Sequence, residues 1–197
     1  MKIFLVRHGE AEDDLDDSYG GAADHKLTPK GESQARELAE ELRAESIEKI
    51  YTSPQRRALT TATIIANELS ISDAVCVVED LRERNSYGVL SGIPKNKAAE
   101  LFPLILKKGE VRSGHSKTPL LGSEEFEAFE SRVASAFAEV SRAALLDNLA
   151  RIAIVTHGTW LRVLVGEHLG LDLPPDWKHA SSLLLEYTPA KAAIVPE

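Results

Sequence analysis

The chain has almost no cysteine, a deficit of positive charge and no long apolar run. Cys76 stands alone among 197 residues, so an intramolecular disulfide is excluded. Its setting, AVCVV, reads as a small core residue rather than a nucleophile. Lys and Arg number 23 against 31 Asp and Glu, a formal net charge of −8. Nucleic acid and anionic membranes repel such a surface, so neither is an expected partner. An anionic ligand must therefore meet a local cluster of cations. The opening apolar run, IFLV at residues 3–6, is stopped by Arg7. It is too short for a signal peptide or a membrane span, and no other stretch approaches spanning length. These absences lead us to expect a cytoplasmic protein. No repeat, linker or low-complexity tract divides the chain, and 43% hydrophobic composition suits one domain over residues 1–197.

What is present alternates. IFLV reads as a buried strand. LTPKGESQARELAEELR reads as a helix, capped by Thr28 with Pro29 at its first position. KIYTS reads as a second strand, and Ser53-Pro54 repeats the cap-then-proline signal ahead of a third apolar stripe. AVCVV is a third strand. Residues 79–122 are rich in Gly, Pro and Lys and read as an excursion covering a pocket, with a short helix near residues 95–101. A long helix is expected from Ser123. RIAIVTHGTWLRVLVGEHLGL then repeats the opening order of strand, His-Gly and helix, and SLLLEYT is a last strand. This order predicts an α/β fold: a three-layer sandwich with a mostly parallel central sheet flanked by helices.

Ligands of open α/β sheets sit at the carboxyl ends of strands. Arg7 and His8 emerge there after the first strand, Ser53 after the second and His157 after a later one, with Arg57 just inside the following helix. Gly9 and Gly158 allow close backbone approach to a ligand. Two imidazoles and two guanidiniums suit a phosphoryl group. Arginine grips phosphate oxygens bidentately, and a neutral imidazole can attack phosphorus. This chemistry requires no metal and no cofactor.

The motifs LVRHGEAE, LTPKGESQA, YTSPQRRALTTA, LRERNSYG, GSEEFEAFESRV and VTHGTWLRVL, in this order, resemble the histidine phosphatase superfamily, which includes the phosphoglycerate mutases. The resemblance implies a phosphoglycerate mutase-like fold and a set of roles. His8 is the nucleophile, and Arg7, Arg57 and His157 bind the transferring phosphoryl group. Glu83 is the acid and then the base. Gly20 and Gly21 form a loop touching substrate, Gly158 adjoins it, and Glu124 is a supporting glutamate. The family usually has Thr where Ala11 stands and Asn where Asp14 stands. An ionised Asp14 facing the pocket would repel phosphate. An extra residue between Glu83 and Gly88 leaves Glu79 or Asp80 as alternative acids.

The expected activity is hydrolysis of a small phosphorylated metabolite through phosphohistidine on His8. A mutase is the alternative, because Tyr87 and Lys95 occupy places comparable to a mutase loop. A non-catalytic phosphate-binding protein ranks below both. The segment from Gly92 to Gly122 is short for the lid a mutase needs. Tyr87, Lys95 and Arg112 are candidates for contacting the rest of the substrate. His25, His115, His168 and His179 read as structural, with His179 a candidate for the pocket rim. Arg56 reads as solvated, and the Asp13–Asp17 run as a solvated loop without calcium-ligand spacing. A homodimer is the expected assembly.

Overall fold

The computed structural model describes residues 1–107, 120–172, 177–189 and 191–194. Its strands are β1 (Lys2–Arg7), β2 (Lys49–Thr52), β3 (Val75–Val77), β4 (Arg151–Thr156), β5 (Ser182–Thr188) and β6 (Lys191–Ile194). They form one sheet in the order β3-β2-β4-β1-β5-β6. β3, β2, β4 and β1 pair in parallel, and β5 and β6 close one edge antiparallel. The helices are α1 (Glu12–Leu15), α2 (Pro29–Leu42), α3 (Arg56–Glu68), α4 (Lys95–Leu101), α5 (Pro103–Lys107), α6 (Phe126–Leu146) and α7 (Gly158–Arg162), which runs on into a π-helical turn, Val163–His168. Among the described residues no helix is long and apolar enough to cross a membrane.

The continuous apolar run of β1 follows from its place inside the sheet. Successive side chains point to opposite faces, and both faces are covered. Ile3 and Leu5, with Ile152 and Ile154 of β4, pack under Phe129, Val133, Phe137 and Val140 of α6 and Trp160 of α7. Phe4 and Val6, with Ala153 and Val155, pack under Leu38 and Ala39 of α2 and Ala58, Ala62 and Ile65 of α3. Residues 3–6 are at most 4% exposed. Each such side chain contributes roughly 1.5–3 kcal/mol of burial.

A local signal explains the start of α2. The Thr28 hydroxyl accepts from Gly31 N–H at 3.0 Å, and Pro29 opens α2. Two starts differ from expectation. α3 begins at Arg56 and no side chain caps it, because the cap position falls on Gln55; the Ser53 Oγ accepts from Gln55 N–H at 3.2 Å, ahead of the first helical turn. α6 begins at Phe126 rather than Ser123, whose Oγ instead accepts from Leu120 N–H at 2.8 Å. Within residues 79–122 the short helix falls at Lys95–Leu101 as expected. It joins a satellite cluster of Tyr19, Leu90, Ala98 and Leu120. Arg112 and His115 lie outside the described residues.

Candidate active site

Strand register brings the two histidines together. In the parallel pair β1 and β4, Arg7 lies opposite Thr156, so the next residues, His8 and His157, are neighbours at the carboxyl edge. Their ring centroids are 5.1 Å apart and tilted by 60°. β2 flanks β4 on the other side with Thr52 opposite Val155. Ser53 therefore arrives beside His157, and its Oγ is 2.8 Å from His157 Nε2.

Two contacts fix the state of His8. Its Nδ1 lies 2.7 Å from the Gly9 carbonyl, which can only accept, so Nδ1 carries hydrogen. Arg57 Nε–H donates to His8 Nε2 at 3.3 Å, so Nε2 carries the lone pair. Burial first, then the Arg57 charge, pushes the His8 pKa well below the ordinary 6.5, against the pull of the Gly9 hydrogen bond. The ring is neutral, and Nε2 carries no hydrogen. His157 is likewise held neutral by burial first and then by Arg57 and His8. Whichever way its bond to Ser53 runs, His157 Nδ1 is left buried without a hydrogen-bond partner among the described residues.

Arg57 is 2% exposed, and its two terminal nitrogens also donate, to Ala23 O at 2.7 Å and Gly21 O at 3.1 Å. Gly21 turns with a φ of +67°, a left-handed conformation suited to glycine. Arg7 donates to Trp177 O at 2.6 Å and contacts His179 Nε2 at 2.8 Å. Arg7, His8, Arg57 and Gly21 line a cavity of about 220 Å³, joined by Asp14, Glu83 and Gly158.

Glu83 is oriented from both sides. Its carboxylate accepts from Arg84 N–H at 2.8 Å and Thr159 N–H at 3.1 Å, and its own N–H donates to Gln55 Oε1 at 2.7 Å. The loop before it is pinned by Arg132, which donates to Asp80 O and Arg82 O at 2.8 and 2.9 Å while Glu124 grips its guanidinium at 2.8 Å. Glu124 thus supports Glu83 through Arg132. Asp80 and Glu79 pair with Arg82 and do not line the 220 Å³ cavity, which leaves Glu83 as the candidate acid. Glu83 also borders a second cleft of about 540 Å³ with Gln55, Arg82, Asn85 and Asp24, room for the body of a substrate.

Other expected residues fall elsewhere. Gly20 does not line the 220 Å³ cavity; a Cβ there would come within 2.4 Å of Asp13 Oδ2. Tyr87 packs on Tyr19 with centroids 5.1 Å apart, and Lys95 is engaged by Asp17, so neither lines that cavity. Gly9 faces no ligand. A Cβ there would meet Gly31 O at 2.4 Å, so this glycine serves the close packing of α2 on the end of β1. His157 is fully buried and is not among the residues that line the cavity, although its ring lies 5.1 Å from that of His8. Asp14 does face the cavity, and the His179 ring lies 5.7 Å from that of His8. Sequence reasoning missed Gln55, Ser53 as a histidine partner, and Arg162, which lines the cavity. Arg162 lies five residues past His157, and its place on the inner side of α7 was the available signal. Among the described residues no three His, Cys, Asp or Glu side chains converge as metal ligands.

Comparison with known proteins agrees with this geometry. The sequence profile of the histidine phosphatase superfamily (branch 1) matches residues 3–195. The chain is 34% identical over 180 residues to a putative phosphoserine phosphatase 2 of Hydrogenobacter thermophilus, covering 89% of this chain and 82% of that protein. It is 33% identical over 177 residues to a 2,3-bisphosphoglycerate-dependent phosphoglycerate mutase of Cytophaga hutchinsonii, covering 90% and 81%. In fold it is similar to the alpha-ribazole phosphatase of Shigella flexneri, with a TM-score of 0.80 at 22% identity, over 99% of this chain and 95% of that one. The chain belongs to the histidine phosphatase superfamily, with a phosphoglycerate mutase-like fold.

Proposed function

We propose that the protein hydrolyses small phosphomonoesters through a phosphohistidine on His8. The observation that carries this reading is the state of His8: neutral, with Nδ1 committed to Gly9 O and the lone pair of Nε2 at a cavity lined by arginines. In the first step Nε2 attacks phosphorus, the N–P bond forms and the ester P–O bond breaks. Glu83, as the acid, gives its proton to the leaving oxygen. In the second step Glu83, now a carboxylate, takes a proton from water as the water oxygen attacks phosphorus. The N–P bond breaks and returns His8 to its starting state. Arg7 and Arg57 offset the charge on the equatorial oxygens. The Ser53 hydroxyl donates to His157 Nε2 in this reading, so His157 Nδ1–H is free to bond a phosphoryl oxygen that satisfies it.

Hydrolysis is favoured over mutase chemistry by the engagement of Tyr87 with Tyr19 and of Lys95 with Asp17. A mutase would use such residues to hold and shield its substrate. Assays with an aryl phosphate and with 3-phosphoglycerate, with and without 2,3-bisphosphoglycerate, test the reading. Free phosphate from both substrates is expected, and isomer formation without phosphate release would replace hydrolysis by the mutase reaction.

A further inference from the structure

The phosphoryl cavity contains a carboxylate that should repel its ligand. Asp14 lines it beside His8 and Arg7. Its Oδ2 accepts from Ala11 N–H at 2.9 Å and lies 3.3 Å from His179 Nε2. Burial alone would raise the Asp14 pKa, but the bonds to His179 and Ala11 outweigh it and hold the value at about 2. The group is a carboxylate at any working pH.

His179 Nε2 is also 2.8 Å from an Arg7 guanidinium nitrogen. One imidazole nitrogen cannot serve both neighbours at once. Arginine only donates, so its bond needs a lone pair on Nε2. A carboxylate only accepts, so its bond needs a hydrogen there. The two contacts are therefore alternative states of one ring. With Nε2 bare, His179 holds one end of Arg7. With hydrogen on Nε2 as well as on Nδ1, the ring is an imidazolium that bonds Asp14, offsets that charge and releases its hold on an Arg7 N–H, which turns to an anion. The other end of Arg7 stays on Trp177 O at 2.6 Å in both states.

We propose that His179 is a positioning residue that couples anion binding to the uptake of one proton. The arriving phosphoryl dianion takes the Arg7 N–H, and His179 gains a solvent proton and pairs with Asp14. This inference rests on the phosphoryl-site reading above. The charged groups around the ring are consistent with it. Arg7 from β1, His8 at the end of that strand and Asp14 from α1 face it on the cavity side. Lys178 beside it and Glu37 and Glu41 of α2 border a separate cavity on its outer side. Glu10, which also senses the Asp14 charge, is paired with Lys30 at 2.7 Å. By linkage, an uptake of one proton on binding means that anion affinity falls as pH rises.

Sulfate tests this without catalysis, because it stays dianionic from about pH 5.5 to about 8.5 while histidine titrates. Calorimetry of sulfate binding in two buffers of different ionisation enthalpy counts the protons taken up. The wild-type protein is expected to take up about one proton per sulfate near pH 7.5 and to lose about tenfold in affinity between pH 6.5 and 8. In His179→Gln the uptake disappears and affinity stays flat within about twofold. In Asp14→Asn the uptake drops by more than half, and sulfate binds about fivefold tighter than to wild type at pH 8. Undiminished uptake in His179→Gln would assign the proton to His8 or His157 and overturn the proposal. Sulfate binding to wild type without uptake would overturn the coupling alone, leaving the phosphatase reading standing. No sulfate binding at any pH would overturn both.

Discussion

His8 and His157 follow adjacent parallel strands, and each precedes a glycine, yet the two junctions present opposite nitrogens. His8 commits Nδ1 to its neighbour's carbonyl and leaves Nε2 at the cavity. His157 commits Nε2 to Ser53 and leaves Nδ1 without a partner among the described residues. The glycines differ too. Gly9 is pressed against the Gly31 backbone, whereas a Cβ on Gly158 would meet only Arg7 at 3.5 Å, an ordinary contact. The same short motif thus leaves an unprotonated Nε2 at the cavity in one place and a buried Nδ1 in the other. The difference comes from what each neighbouring element contributes: α2 behind the first junction, β2 beside the second.

The sharpest way to break the comparison is to remove each ring. His8→Ala is expected to lower kcat on an aryl phosphate by about 10⁴-fold or more, because no other group here replaces the nucleophile. His157→Ala is expected to lower it by about 10²–10³-fold, the range for losing one oxyanion donor. Equal losses would erase the distinction drawn between the junctions. Glu83→Gln should fall between these two, at about 10³–10⁴-fold, with the smallest loss for the best leaving groups. Steady-state kinetics over a series of aryl phosphates measures all three.

Stability gives a second comparison. Gly9→Ala is expected to cost about 3 kcal/mol in denaturant unfolding, since backbone must move to admit the methyl group. Gly158→Ala should stay within about 0.5 kcal/mol. Both buried histidines titrate well below 6.5 in the folded protein and near 6.5 when unfolded. The unfolded chain therefore binds more protons just below pH 6.5, and stability is lost as pH falls from there. The slope should approach about 2.7 kcal/mol per pH unit for the two rings together. His8→Ala and His157→Ala should each remove about half of it. Asp14, held at about 2 against an ordinary 3.8, contributes stability lost in a separate, more acid window. Among the polar substitutions the smallest expected effect is Ser53→Ala, about 1 kcal/mol in stability and about tenfold in activity, through loosening of His157.

Much of this was legible in the sequence because it follows from strand ends. The apolar run before Arg7, the apolar run before Thr156 and the turn at Ser53 place His8, His157 and Arg57 at one edge without knowledge of packing. The starts of α3 and α6 were less legible, because Ser53 and Ser123 could cap a helix, yet the cap position of α3 falls on Gln55 and the Ser123 hydroxyl is used in a preceding turn. Gln55 carried no local signal, since its role is to tie the residue 21–23 carbonyls to the Glu83 backbone. His179 was misjudged for a related reason. Its contacts to Arg7 and Asp14 join residues more than 160 positions apart, through antiparallel pairing of β5 with β1 that no local pattern specifies.

The central claim is tested most directly by quenching the enzyme during turnover of an aryl phosphate and mapping bound phosphate by mass spectrometry. The account predicts acid-labile phosphate on the peptide bearing His8, more of it in Glu83→Gln and none in His8→Ala. Phosphate carried by any other residue, or full turnover in His8→Ala, would contradict it.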